Sequence, residues 1–127
     1  MAIEAISDLG DNALAGTLDL LSRTGDDETH HSLLVLLSRM AEPKNIEHFR
    51  KATSRQELLQ ALLVGASESD PYARLAVVHG LAQYGSSSEA VRTLNHLAAN
   101  DEFALTADGV GFRYPIREAA SKALPKR

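Results

Sequence analysis

Apolar residues recur at three- and four-residue intervals along nearly the whole chain, which is the period of a helix buried on one face. Residues 2–9 fit a short helix broken near Gly10. Asp11 or Asn12 can cap the next helix, which carries Leu14, Leu18 and Leu21 on one face and ends at Gly25. Asp26 and Asp27 restart the chain, and acids suit a helix N-terminus. That helix runs through Leu33, Leu34, Leu36, Leu37 and Met40 to about Ala41, before Pro43. A short helix or turn is expected over residues 45–51. Ser54 with Glu57 forms a capping-box pattern that opens a helix carrying Leu58, Leu59, Leu62 and Leu63, which frays near Gly65. Asp70-Pro71 pairs an N-cap with a proline at the first helical position, so a helix starts there and stops near Tyr84-Gly85. Ser86 to Ser88 cap a helix bearing Val91, Leu94 and Leu97 that ends near Asn100, and a last helix spans Pro115 to Leu124.

One stretch, residues 102–114, breaks this rhythm. Phe103, Leu105 and Ala107 alternate on one side of Asp108-Gly109, and Val110, Phe112 and Tyr114 on the other. Asp-Gly between alternating apolar runs signals a hairpin. A coil packed by its own aromatics is the other reading. Three of the chain's six aromatic residues lie in this stretch.

An internal repeat is legible in the second half. Arg74-x-Ala76-x-x-x-Gly80-Leu81 returns as Arg117-x-Ala119-x-x-x-Ala123-Leu124. Upstream of each arginine an aspartate, Asp70 or Asp101, follows an apolar helix. The aspartates are 31 residues apart and the arginines 43, so about a dozen residues are inserted between Asp101 and Arg117. The aromatic stretch is that insertion. A degenerate copy begins at Asp26, with His30 in the arginine position and Leu36-Leu37 closing it. The run Asp70-Pro71-Tyr72-Ala73-Arg74, with its echo Tyr114-Pro115-Ile116-Arg117, resembles the HEAT-like repeat family in its short bilin-lyase-type form. The resemblance covers Arg55 to Leu124 and is weak over Met1 to Ala52, where the Asp-Pro-x-x-Arg signature is missing. It implies an all-α fold, a short right-handed α-solenoid of about three helix pairs in one domain over residues 1–127, with an inserted loop or hairpin before the last helix.

Composition narrows the class further. The chain has 127 residues, 44% hydrophobic and 24% charged, which supports a packed core and excludes disorder as the main state. It has no cysteine, so disulfides, thiolate metal sites and cysteine nucleophiles are excluded. Charge is unevenly placed. Through Glu42 eight acids face only Arg23 and Arg39, whereas from Pro71 onward seven bases face five acids. The net charge of −4 argues against a nucleic-acid partner. The longest apolar run, Leu33 to Leu37, is far too short to span a membrane. Glu4 and Asp8 replace the basic start of a secretory signal, so the expected compartment is the cytoplasm.

The candidate chemistry is sparse. His30-His31 would point about 100° apart on a helix and cannot easily share one ion, so they read as a solvent-exposed pair. His79 and His96 read as structural or surface residues, and His48 carries no motif. Asp70, Arg74, Asp101 and Arg117 read as caps and braces of the repeat rather than catalytic groups. Gly109-Val110-Gly111 lacks the context of a phosphate loop, and no nucleophile elbow or zincin motif is present. No catalytic, metal or cofactor residue is therefore expected. The expected contact residues are the acidic Asp26, Asp27 and Glu28 and the insertion residues Phe103, Asp108, Phe112, Arg113 and Tyr114. Phe103 and Phe112 could equally tuck inward, and Arg113 is expected to be exposed.

These features point to a non-enzymatic, monomeric protein-binding module. A chain of this length that starts at Met1 is expected to be a small inhibitor rather than a scaffold. The resemblance includes small bacterial immunity proteins that neutralise a toxin, and an acidic inhibitor would suit a basic toxin domain. An adaptor or regulatory scaffold is the alternative. Enzymes related to the resemblance, the chromophore lyases and alkylpurine DNA glycosylases, fit less well. The former need a longer solenoid or second subunit, and the latter a basic aromatic groove.

Overall fold

A computed structural model describes residues 10–107, 109 and 111–125. The short helix expected over residues 2–9, and the contact residue Asp108, lie outside the described residues. The rest is mostly helical: α1 (Asp11–Arg23), α2 (Asp27–Met40), α3 (Pro43–Ile46), α4 (Ala52–Gly65), α5 (Pro71–Leu81), α6 (Ser88–Asn100) and α7 (Pro115–Ala123), with a 3₁₀ turn at Ala82–Tyr84. Two short strands, β1 (Leu105–Ala107) and β2 (Gly111–Arg113), form an antiparallel hairpin between α6 and α7.

Each longer helix buries one stripe against its neighbours. α1 packs on α2, α4 on α5 and α6 on α7, and α2, α5 and α7 lie side by side in a second layer. Leu14, Leu34, Leu37, Met40, Leu58, Leu62, Val77, Val78, Leu81, Leu94 and Ile116 are all but inaccessible, so one continuous core runs through all three pairs. Small residues set the spacing within that second layer. A methyl group added at Gly80 would lie 3.2 Å from the Ser38 Cα, and one at Gly65 would lie 2.8 Å and 2.9 Å from Leu34 and Val77 side-chain carbons. Glycine at these two positions is what lets α2, α4 and α5 meet. Buried hydroxyls turn back onto their own helix, as Thr17 donates to the Ala13 carbonyl and Ser38 to the Leu34 carbonyl.

Helix starts depart from expectation in three places. Neither Asp11 nor Asn12 caps α1. Gly10 is the N-cap, and Asp11, the first helical residue, reaches across the fold to the start of α4 instead. Its carboxylate accepts from the backbone N–H groups of Arg50 (3.1 Å) and Lys51 (3.2 Å) and from the Ser54 hydroxyl. Ser54 therefore does not open α4 with a capping box. Lys51 is the N-cap, with no side-chain cap bond of its own, and Ser54 is buried inside the first turn. A residue 40 positions away supplies the cap that the local sequence promised. The third departure is the Pro43 turn, which forms α3 over Pro43–Ile46 rather than over residues 45–51. Asp26, Asp70 and Ser87 do cap their helices, accepting from the N–H groups of Thr29, Tyr72 and Ala90. α1 ends at Arg23, with Thr24 as its C-cap, one residue ahead of Gly25.

The insertion is a hairpin, with register Leu105↔Arg113, Thr106↔Phe112 and Ala107↔Gly111. Three residues separate its paired ends, and Gly109 and Gly111 take the positive φ angles of 73° and 86°. A two-residue Asp-Gly turn would have set Phe112 against Leu105. The extra residue places Phe112 on the opposite face from Leu105, because a one-residue slip reverses every side chain. The aromatic and apolar positions of the insertion are thus divided between its two faces.

Candidate functional site

Contacts between pairs bring one edge of the molecule into focus. His31, at the start of the second turn of α2, meets Asp70, the N-cap of α5, with Nδ1 2.5 Å from Oδ2. His30 meets Glu68 in the same turn, at 3.3 Å. Arg74, in the first turn of α5, reaches Asp101 at the end of α6. Its Nε donates to Oδ2 at 2.8 Å and Nη2 to Oδ1 at 3.2 Å, while Nη1 donates to the carbonyls of Glu68 (2.8 Å) and Ser69 (3.1 Å). Arg117, in the first turn of α7, donates to the Asp101 carbonyl at 2.6 Å, and its guanidinium lies 4.1 Å from the centre of the Tyr114 ring. A ladder of polar contacts thus joins the N-termini of α2, α5 and α7 along one edge.

Two expectations are corrected here. His30 and His31 are not a solvent-exposed pair. Both are partly buried and both are spent on the carboxylates of the α4–α5 turn. Facing an ionised carboxylate, which can only accept, each Nδ1 carries the proton. Asp101 is a brace, but it does not cap a following helix, because the hairpin intervenes. It ends α6, and its carboxylate accepts from the Phe103 N–H (3.0 Å) and from Arg74. That ion pair is well shielded, with side-chain exposures of 16% for Arg74 and 3% for Asp101.

The predicted contact residues divide along this edge. Asp27 and Glu28 line a cleft of ≈ 510 Å³ with His31, Glu68 and Asp70. Asp26 is occupied as a cap, accepting from the Thr29 N–H at 2.9 Å and its hydroxyl at 2.6 Å; the Thr29 hydroxyl first, then the N–H, hold its carboxyl below the usual range. Burial pushes the Asp70 carboxyl up, but bonds from His31 and the Tyr72 N–H outweigh it and leave the group below its ordinary value. Phe112 projects outward and is 67% exposed. Arg113 is exposed as expected, with Nη2 donating to Glu118 at 2.8 Å. That hydrogen bond lowers the Glu118 carboxyl and raises the Arg113 guanidinium. Phe103 turns the other way, packing on the core and edge-on against Tyr72 with ring centres 5.6 Å apart. Tyr114 is half-buried beneath Arg117.

Three further surface residues were missed in the sequence. Among the described residues, the large apolar side chains left exposed are Leu20, Val64, Tyr72, Leu105 and Phe112. Leu20 lies in the last turn of α1, Val64 in the last turn of α4 and Tyr72 in the first turn of α5. Together with the hairpin, all five sit toward the edge where α1, α4 and α6 end and α2, α5 and α7 begin. The off-stripe positions of Leu20 and Val64 were a usable signal. Leu20 directly precedes the partly buried Leu21, and Val64 directly follows Leu62 and Leu63.

Among the described residues no group of three or more His, Asp or Glu side chains is arranged to hold a metal ion, and no helix is long and apolar enough to cross a membrane. The edge offers carboxylates to cationic groups and apolar side chains to a surface. A scan of protein-family models finds no match for the chain, and searches of the curated proteins and of the solved structures find none either.

Proposed function

We propose that the chain is a short α-solenoid of three HEAT-like helix pairs that binds another protein through the edge where its second-layer helices begin. Pairwise stacking, the alignment of α2, α5 and α7, and the recurrence of Arg74 and Arg117 at equivalent places support the solenoid. The observation that carries the binding reading is the exposure of large apolar side chains at the helix ends along this edge and in the hairpin beside them. Val64, at 74% exposure, and Phe112 are the most prominent of them. The acidic cleft beside them favours a partner with a basic surface.

Within that class the reading is a small, non-enzymatic inhibitor of the immunity type, acting as a monomer in the cytoplasm on a basic toxin or enzyme. It would occlude the partner and perform no chemistry. An adaptor role would use the same edge with lower affinity. The test is capture with the tagged full chain from cells that make it, with partners identified by mass spectrometry. The inhibitor reading expects one stoichiometric basic partner, lost in a Phe112→Ala, Tyr72→Ala variant. A spread of weak partners would move the weight to an adaptor, and unchanged capture by the variant would remove this edge from the proposal.

A further inference from the structure

The two junctions between successive helix pairs occupy the same place and use different chemistry. In each, a basic side chain from the N-terminal part of a second-layer helix reaches forward to a carboxylate of the next pair. At the second junction it is Arg74 on Asp101, and a guanidinium stays charged at every pH a protein meets. At the first junction it is His30 on Glu68 and His31 on Asp70. An imidazole gains and loses its charge between mildly acidic and neutral pH.

We propose that the first junction is a proton-operated clamp, in which charge on His30 and His31 tightens α2 against the α4–α5 turn and loss of that charge loosens it. Two histidines acting on one five-residue turn give the clamp two charged hydrogen bonds in place of neutral ones, and charged bonds are the stronger. Every ionisable group facing them pulls the same way or is already occupied. Asp27 and Glu28 on α2 and Glu68 and Asp70 on the turn, which share a cleft with His31, are all acidic, and Glu68 is also the partner of His30. From α5, Arg74 faces the turn but is spent on the Glu68 and Ser69 carbonyls and on Asp101. From α1, Asp19 and Arg23 pair with each other at 2.8 Å. The last two turns of α4, Leu58 to Gly65, carry no ionisable side chain. Arg39, near the end of α2, and Glu42, the N-cap of α3, share a separate groove with His79 of α5.

The consequence is a local change with pH. α2 is held more firmly in mildly acidic solution, while α6 and α7, joined through Arg74, Asp101 and Arg117, are indifferent. Amide hydrogen exchange of the full chain at pH 5.5 and 7.5, corrected for intrinsic rates, reads this directly. Relative to α6, protection of α2 from Leu33 to Met40 is expected to be about fivefold higher at pH 5.5. His30→Gln with His31→Gln should abolish the difference, and His79→Gln should leave it intact. Should the double variant fail to fold, His31→Gln alone and Glu68→Gln should each reduce it. In the wild type, ring resonances of His30 and His31 should titrate over the same pH range as α2 protection. A pH-independent ratio in the wild type would overturn the clamp. So would a difference that survives removal of the histidines, or one that follows His79.

Discussion

The first and last helix pairs are attached to the same central pair by contacts in matching positions, yet the attachments differ in kind. At α6–α7 a shielded Arg74–Asp101 pair is reinforced by Arg117 on the Asp101 carbonyl. At α1–α2 the attachment is spread over half-exposed histidine–carboxylate pairs and over Asp11, which caps α4 from outside. A shielded ion pair that loses one partner leaves an uncompensated charge, whereas a half-exposed one hands its charge to water. The polar contacts of the last junction are therefore shielded and those of the first half-exposed, and the first junction carries the acidic cleft.

The sharpest way to break this comparison is to cut both junctions. Asp101→Ala should lower unfolding free energy by about 3–5 kcal/mol in urea titrations, and His31→Gln at neutral pH by only about 0.5–1 kcal/mol. Equal losses would mean that the two ends are not different in kind. Next in size is the close approach of α2 and α5. Gly80→Val should cost about 1–3 kcal/mol through overpacking, whereas Gly16→Ala, with nothing within 4 Å of the added methyl, should gain about 0.5–1 kcal/mol in thermal or urea unfolding. If Gly80→Val is tolerated, the spacing of the second layer is not set there. Ser54→Ala should cost about 1 kcal/mol by removing the hydroxyl that links α4 to Asp11. A double-mutant cycle with Asp11→Ala should show coupling, and additive losses would deny the long-range cap.

Titration gives the smallest effects. Asp70 sits below the ordinary carboxylate value of 3.8, so its contribution is intact at neutral pH and is lost as pH falls below that value. At the other extreme, burial pushes the Tyr84 phenol from 10.0 to about 12, and its hydroxyl donates to the Arg55 carbonyl at 2.9 Å. The neutral phenol is the favoured form, so its contribution is present below pH 10.0 and fades as pH rises toward about 12. Urea midpoints across that window should fall more steeply in the wild type than in Tyr84→Phe. Parallel curves would contradict the assignment.

The helical skeleton was legible because its signals are local. Asp26, Asp70 and Ser87 cap where their side chains can reach the next turn, and Pro71 and Pro115 start helices wherever they sit. The misreadings arose where a distant group took over a local role. Ser54 looked like a cap because the sequence around it does not show that Asp11 would arrive. His30 and His31 looked exposed because Glu68 and Asp70, close to 40 residues on, are invisible to helix periodicity. The aromatic insertion was legible as a place of interest but not in its facing. Phe103 and Phe112 belong to the same alternating pattern, and only the three-residue connection decides that one faces the core and the other projects outward. Tyr72 was overlooked because the Asp-Pro start explained its neighbours so completely.

If the apolar edge is a contact surface, a crosslinker placed on it captures the partner. A photoreactive residue placed at Phe112, and separately at the exposed Gln83 in the 3₁₀ turn beyond the far end of α5, would be irradiated in cells that make the protein. The account predicts one dominant crosslinked protein from position 112 and none from position 83. The same partner captured from position 83 alone, or no crosslink from position 112, would contradict it.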